Sequence, residues 1–563
     1  MKEDAITGSD GGRYDYIIIG AGSAGAALAY RLSEKPDSRV LLIEAGKAGH
    51  PLSWLPISFA LFIDHPGVNW RYSSEPEEGT NNRAIPVPRG KLLGGSSAIN
   101  GQIHVRGQVQ DYDGWAQLGN RGWGWQDVEP LFRRMENYDK AVDGTRGTDG
   151  PLRVTEVADV NPLYDAVFTA AERFGIPRSP DYNGPNQEGL GMSQATIWRG
   201  RRMSTAHCYL RPAMKRPNLH VVTEAAARQL ILEGRRCTGV VYARGGQNVR
   251  VSAEREVILC AGAIASPQLL ELSGIGKPEI LQSFGIQVRH ALAGVGENLR
   301  DHIIARMQLH LKVASASYNR RTRGLRGALE LLKYATASSG FLSMPSGPLT
   351  GFAKTRPDLD RPDAQLFFTP FAVKSLKNRE LLDYPAMTAA CYQLRPESLG
   401  SVHIRSADPQ EQPAIRFNFF SHPIDMATTI AAFNTLRRII ASPAMAAYAG
   451  EEFSPGPGIH TDAAIEAWIR ANAETAFHPI GTCRMGPGED AVVDDQLRVH
   501  GMQGLRVADA SIFPTMPSGN TNAAAILVGE KCADLIMRAV VMDSGYEQDG
   551  AAKSSNACAA AQP

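Results

Sequence analysis

Residues 14–44 constrain the fold of this chain more than any other stretch. They read YDYIIIGAGSAGAALAYRLSEKPDSRVLLIE. An apolar run at 16–19 leads into Gly20-Ala21-Gly22-Ser23-Ala24-Gly25, a small-residue helical pattern continues to Leu32, and a second apolar run at 40–43 ends at Glu44. Strand, glycine turn, helix, strand and a carboxylate about 20 residues past the glycines is the spacing of a dinucleotide-binding unit. Gly20 permits the tight turn, Gly22 lets backbone approach a pyrophosphate, and Gly25 lets the helix pack on the strand. The N–H groups at the helix start can hold a diphosphate, flanked by Ser23 and Ala24. Glu44, followed by Ala45, can accept from a ribose. The pattern does not separate NAD from FAD.

With 563 residues the chain has room for two or more domains or one large composite fold. A formal net charge of +1 gives no overall basic field to recruit nucleic acid, so no nucleic-acid partner is expected. The seven cysteines form no C-x-x-C pair, and their odd number argues against a full disulfide framework. A reducing, cytoplasmic compartment is therefore expected. Residues 1–13 are polar and glycine-rich without the apolar run of a signal peptide, and no apolar stretch reaches the ~20 residues of a spanning helix. The Ala/Ser/Gly-rich residues 543–563, like 1–13, read as disordered tails. No metal-ligand spacing of His, Cys, Asp and Glu occurs.

Along the chain the reading is a nucleotide-binding part at 14–150, an insertion at 151–217, a second nucleotide-binding part at 218–302, a separate sheet-plus-helix domain at 303–470, and a final nucleotide-binding part at 471–542. The second part contains a buried-strand pattern ending in Cys260-Ala261-Gly262, after which Pro267 is expected to open a helix. Helical patterns also cover residues 427–441 and 523–540. The segment NRRTRGLR at 319–326, before ALELLKYA, reads as a solvated basic face, with peripheral contact to an anionic inner membrane as the alternative.

Two blocks resemble a known family. GKLLGGSSAIN at 90–100 looks like the first signature of the glucose–methanol–choline (GMC) flavin oxidoreductases, and GAIASPQLLELSGIG at 262–276 matches the second. With HPIGTCRMG at 478–486 and SGNTN at 518–522, the resemblance spans about residues 14–540, and its phrasing is most similar to bacterial alcohol and choline dehydrogenases. It implies an α/β chain: a Rossmann-like FAD-binding domain, discontinuous in sequence, with an α+β substrate-binding domain on an antiparallel sheet. It implies FAD as cofactor, and a bacterial source. Ile99 stands where some members carry the histidine that attaches flavin, so non-covalent FAD is expected. His104 departs from the usual residue at its signature position and leaves the local flavin environment open.

The resemblance also implies site residues. Arg89, Leu93, Gly94, Gly95, Ser97 and Asn100 are expected to line the flavin diphosphate and ring. Arg228 marks a backbone contact to adenine, Ala261 and Gly262 belong to the second signature, and Asp509, Ala510, Asn520 and Thr521 are expected at the ribityl and pyrimidine ends; Asp509 can alternatively cap a turn. His478 is the expected base that takes the alcohol proton, with Asn520 holding the oxygen and hydride passing to the flavin. His302, in NLRDHI, reads as structural; His207 and Cys208 receive no role; Cys483 reads as a packed thiol.

The expected activity is FAD-dependent oxidation of a primary alcohol to the aldehyde. Trp54, Phe59, Phe62, Phe367, Phe368 and Phe371 supply candidate pocket aromatics, and no carboxylate cluster stands out for a quaternary ammonium, so aliphatic or aromatic alcohols are favoured over choline. The electron acceptor is a quinone-type molecule (dehydrogenase) in preference to oxygen (oxidase giving peroxide). A non-redox lyase or photodecarboxylase of the same family, and an NAD enzyme with the same start, are the competing readings.

Overall fold

The computed structural model describes residues 9–141, 144–374 and 380–559. Its first sheet has seven strands. Ser9–Ile19 lies centrally, parallel to Val40–Ile43 on one side and to Gln247–Leu259 on the other; Leu219–Val222 extends the parallel array beyond Val40–Ile43. The end of Gln247–Leu259 also pairs in parallel with Leu505–Val507, while its start turns into an antiparallel meander with Arg236–Arg244 and Ala226–Glu233. Residues 16–19 and 40–43 are all buried, as expected of parallel strands covered on both faces. The helix Ser23–Leu32 packs against Asn522–Ala559 on one side of this sheet, and Gly262–Leu272 follows the strand end.

The second sheet, also of seven strands, is antiparallel around Ile303–Leu311, Ala386–Gln393, Ala364–Thr369 and Leu349–Ala353, with Gly189–Met192 at one edge and Ala449–Ser454 at the other. Its side chains alternate. Met307, Leu309, Leu366, Phe368, Met387 and Ala389 face a core shared with the helix Pro423–Ile440, while Ile304, Arg306, Phe367, Thr369, Ala390 and Tyr392 face the cavity described below. The sheet thus closes a cavity whose other wall is the first sheet's glycine-rich end.

Three expectations are corrected. The last helix runs to Ala559, so residues 543–559 are helical and not a disordered tail; residues 560–563 lie outside the described residues. At the other end residues 9–13 already belong to the first strand, where Ser9 and Asp10 pair with Val249 and Arg250; residues 1–8 lie outside the described residues. The second-signature helix opens at Gly262, five residues before Pro267, which sits inside it. Proline there leaves the Ala263 carbonyl without its helical donor, and the Thr482 hydroxyl donates to that carbonyl at 2.6 Å.

Candidate active site

One cavity of about 1020 Å³ runs between the two sheets. At one end it is lined by Gly20, Gly22, Ser23, Ala24, Glu44, Ala45 and Arg228; along its middle by Arg89, Gly95, Asn100, Ala261, Gly262, Asp509, Ala510 and Thr521; at the far end by His478 and Asn520. The structure therefore brings to one surface most residues that the sequence nominated.

The nucleotide end is shaped by backbone. Gly20 has φ +102°, a conformation that favours glycine. A Cβ on Gly25 would stand 2.0 Å from the Gly20 carbonyl oxygen, so the helix touches the strand only because that side chain is absent. Gly95 also comes close to Gly22: its Cβ would lie 2.7 Å from Gly22 Cα. The first helix has no side-chain cap, which leaves its initial N–H groups directed at the cavity. Glu44 is buried; its carboxylate accepts from Ala21 N at 2.9 Å and Gly46 N at 2.8 Å, and burial pushes its pKa up to about 7. Nearby, the Nε of Arg228 is buried without a hydrogen-bond partner. A glycine cradle open to the cavity at Gly22, uncapped helix N–H groups, a ribose-competent carboxylate and an orphaned guanidinium nitrogen fit a dinucleotide.

Four nominated residues stand behind the cavity wall instead of on it. Gly25 packs the helix. Leu93 is buried in the core. Gly94, at φ +89°, donates its N–H to Ala21 O at 2.8 Å and so joins the two glycine loops. Ser97 donates to Gly94 O at 2.6 Å and accepts from Thr205 N at 3.0 Å, spending its hydroxyl on loop shape. Asp509 lines the cavity and also caps: its carboxylate accepts from Gly262 N, Ser266 Oγ and Ser511 N. Asn100 is held by the buried Arg202, whose Nη1 donates to both its Oδ1 (2.9 Å) and its carbonyl (2.7 Å). Sequence reading gave Arg202 no role.

At the far end, His478 is buried and its ring is fixed from both sides. Asn520 Nδ2 donates to His478 Nε2 at 3.1 Å, and His478 Nδ1 lies 3.0 Å from His302 Nδ1. His302 Nε2 is 2.8 Å from the Leu394 carbonyl, which can only accept. Neutral His302 therefore carries its proton on Nε2 and accepts at Nδ1, so His478 must donate from Nδ1 and keep a lone pair on Nε2. The other side agrees: Tyr392 donates to Gln365 Oε1, Gln365 Nε2 donates to Asn520 Oδ1 at 3.2 Å, and the remaining amide nitrogen of Asn520 meets Nε2 as a donor. Burial pushes His302 down to about 4, and burial, His302 and the Arg89 guanidinium hold His478 well below the ordinary 6.5. Both rings are neutral at neutral pH.

The backbone before His478 is strained and tied down. Phe477 has φ +70°. Its carbonyl accepts from Arg89 Nη2 at 2.5 Å and its N–H donates to Thr475 Oγ1 at 2.8 Å, while His478 N donates to Asp301 Oδ1 at 2.8 Å. Burial raises the Asp301 pKa to about 7 and depresses Arg89 to about 10. His302 is thus a positioning residue of the site as well as a structural one; besides Arg202, the residues missed by sequence reading are Asp301, Gln365 and Tyr392. Alternation in AQLFFT would have placed Gln365, Phe367 and Thr369 on one face, without saying what that face meets.

The aromatics divide. Phe59, Phe367 and Phe371 line the cavity, whereas Phe62 and Phe368 are core and Trp54 stacks on Tyr334 at the surface. Phe368 follows Phe367 on a strand and so faces the opposite side. His104 is not on the cavity. It is buried with Nε2 at 2.8 Å from Glu136, in an ion cluster with Arg106 and Arg146, so the signature departure bears on that cluster.

Two GMC oxidoreductase models match the chain, at residues 14–304 and 396–529. The chain belongs to the GMC oxidoreductases. It is 42% identical over 533 residues to the oxygen-dependent choline dehydrogenase of Sinorhizobium fredii, covering 93% of this chain and 95% of that one. The corresponding protein of Stenotrophomonas maltophilia is 42% identical over 538 residues, covering 93% and 94%. Among solved structures, pyridoxine 4-oxidase from Mesorbium loti superposes with a TM-score of 0.84 at 30% identity, covering 92% and 98%. Formate oxidase superposes with 0.87 at 28%, covering 94% and 98%. The fold is that of an FAD-dependent oxidoreductase, and its cofactor is FAD.

Proposed function

We propose that this enzyme oxidises an uncharged primary alcohol, aliphatic or aromatic, to the aldehyde, with His478 as the base, and passes the electrons to a quinone-type acceptor. The observation that carries the reading is the chain from Leu394 O through His302 to His478, which leaves the Nε2 lone pair on the cavity side beside an amide donor. FAD, when bound, supplies the hydride acceptor. The protein's part is proton handling. An alcohol oxygen entering between Asn520 and His478 accepts from Asn520 Nδ2 and gives its proton to Nε2, and the amide then faces an oxygen that is gaining charge. The His478 Nδ1 proton keeps donating to His302 Nδ1, so the ring keeps its orientation while it charges. Residues Gly20, Gly22, Ser23, Ala24, Glu44, Ala45, Arg89, Arg228, Gly95, Asn100, Ala261, Gly262, Asp509, Ala510 and Thr521 would hold the cofactor, and Ile99 offers no nucleophile for a covalent link.

Substrate class follows from the wall around His478. The carboxylates on the cavity are Glu44, Glu411 and Asp509. Glu44 and Asp509 are engaged by N–H groups, and Glu411 accepts from Ser406 Oγ in an exposed loop. Toward the second sheet the charged group on the wall is Arg306, paired with Glu474 at 3.1 Å, among Ile304, Phe367 and Phe371. Choline carries a fixed positive charge, which this wall does not favour. Oxygen as acceptor is the second reading, supported by the relatives' names. The test is anaerobic mixing of the FAD-loaded enzyme with benzyl alcohol, hexanol and choline, followed by turnover with a quinone analogue or with oxygen. Bleaching of the flavin by the neutral alcohols, faster dye than oxygen turnover, and flavin released into the supernatant on denaturation are expected. Bleaching by choline alone overturns the substrate class, stoichiometric peroxide overturns the acceptor, and no bleaching by any alcohol overturns the reaction.

A further inference from the structure

The helix Gly324–Ala337 buries none of its 14 residues. At 3.6 residues per turn Leu325, Leu329 and Leu332 share one face, and they are 86%, 62% and 58% exposed. The opposite face makes the attachments. Glu330 accepts from Phe341 N at 2.9 Å, Tyr334 donates to Gly200 O at 2.8 Å, and the Tyr334 ring stacks on Trp54. The leucine stripe therefore points away from the protein, where it contributes nothing to this chain's own core.

The stripe is part of a larger patch. Seven of the twelve large hydrophobics exposed among the described residues fall in 52–61 and 325–332, two segments joined by the Trp54–Tyr334 stack. Leu61 is both exposed and on the cavity wall, and Phe341 and Leu342, just after the helix, line the cavity too. The apolar patch thus frames the cavity mouth. Its border is cationic: residues 318–338 hold Arg320, Arg321, Arg323, Arg326 and Lys333 against the single carboxylate of Glu330, which Phe341 N occupies. Arg326 and Lys333 are exposed and lie about a quarter-turn from the leucines. Leucines outward with arginine and lysine alongside is the chemistry of a helix lying in a lipid interface. A second copy of this chain would bring the same cations face to face. No helix among the described residues is long and apolar enough to cross a membrane.

We propose that the helix Gly324–Ala337, with the rim at Trp54 and Leu61, docks this enzyme on an anionic lipid bilayer, its leucines in the acyl boundary and its cations on lipid phosphates, so that the cavity mouth faces the membrane. The docking stands apart from the quinone reading above; the purpose of docking, access to an acceptor dissolved in lipid, rests on that reading.

The test uses the FAD-loaded full chain, sedimented with vesicles of phosphatidylcholine alone or with phosphatidylglycerol added. Two double variants accompany it, Leu325→Glu/Leu329→Glu and Arg320→Glu/Arg326→Glu. The wild type pellets with the anionic vesicles, and adding salt or omitting phosphatidylglycerol weakens binding at least ~10-fold, as does either variant. Both variants keep their FAD and their alcohol-driven flavin bleaching. The proposal is overturned if the wild type does not pellet with anionic vesicles at low salt, if both variants bind like wild type, or if the wild type sediments as a dimer that the leucine variant renders monomeric. Vesicle binding without flavin bleaching by any alcohol would sink the proposed reaction and leave the docking standing.

Discussion

The two ends of the cavity are built in opposite ways. At the glycine end, Gly20, Gly22, Gly25 and Glu44 come from one short stretch, and the glycines act through backbone shape and the absence of side chains. At the His478 end, the groups are side chains brought from far apart: His302 and His478 are 176 residues apart in sequence, Gln365 and Asn520 are 155 apart. A contiguous turn is specified locally and tolerates little; a dispersed hydrogen-bond chain is specified by the whole fold, and its members can be removed singly while the cavity persists.

That contrast can be broken or sharpened by substitution. The largest effect is expected at Gly25→Ala, whose Cβ would sit 2.0 Å from the Gly20 carbonyl oxygen. Backbone must move, and the purified protein should lack FAD absorbance; a variant with full FAD occupancy would show that the turn is more forgiving than its geometry. Asn520→Ala should retain FAD but reduce flavin bleaching by alcohol, approaching the ~10²-fold typical of losing one oxyanion donor. Stopped-flow reduction measures this, and an unchanged rate would take Asn520 out of the site.

Acidification is a milder perturbation. Because His478 is held well below the ordinary 6.5, its Nε2 stays unprotonated on acidification, and the acid limb of the flavin-reduction profile should lie below pH 6.5. A limb at or above that value would mean that a different group, or a solvated imidazole, takes the proton. Smallest is Ser97→Ala. It removes one buried hydroxyl that shapes the loop and does not line the cavity, so a loss of ~1 kcal/mol in thermal stability is expected with FAD binding retained. Loss of FAD in this variant would put Ser97 back on the cofactor.

The sequence disclosed these two ends unequally for the same reason. The glycine turn, the parallel strands and Glu44 could be read because their spacing is the structure. His478 and Asn520 were reached only through the resemblance of their blocks to a family. His302 read as structural because nothing local links it to His478. Gln365 and Tyr392 were unreadable because a strand's alternation identifies a shared face but not its partner, and that same alternation separates Phe367 on the cavity from Phe368 in the core. Pro267 is the opposite case: proline favours a helix start, but this helix begins at Gly262, because the hydroxyl that compensates the proline comes from Thr482, 219 residues away from the Ala263 carbonyl it serves.

In the proposed reaction the Nε2 lone pair of His478 takes the alcohol proton. Anaerobic stopped-flow reduction of the bound flavin by one saturating alcohol, in wild type and His478→Ala loaded to equal FAD content, tests it most directly. The variant is expected to keep the wild-type flavin spectrum and to be reduced at least ~10²-fold more slowly. Reduction at a near wild-type rate would contradict it.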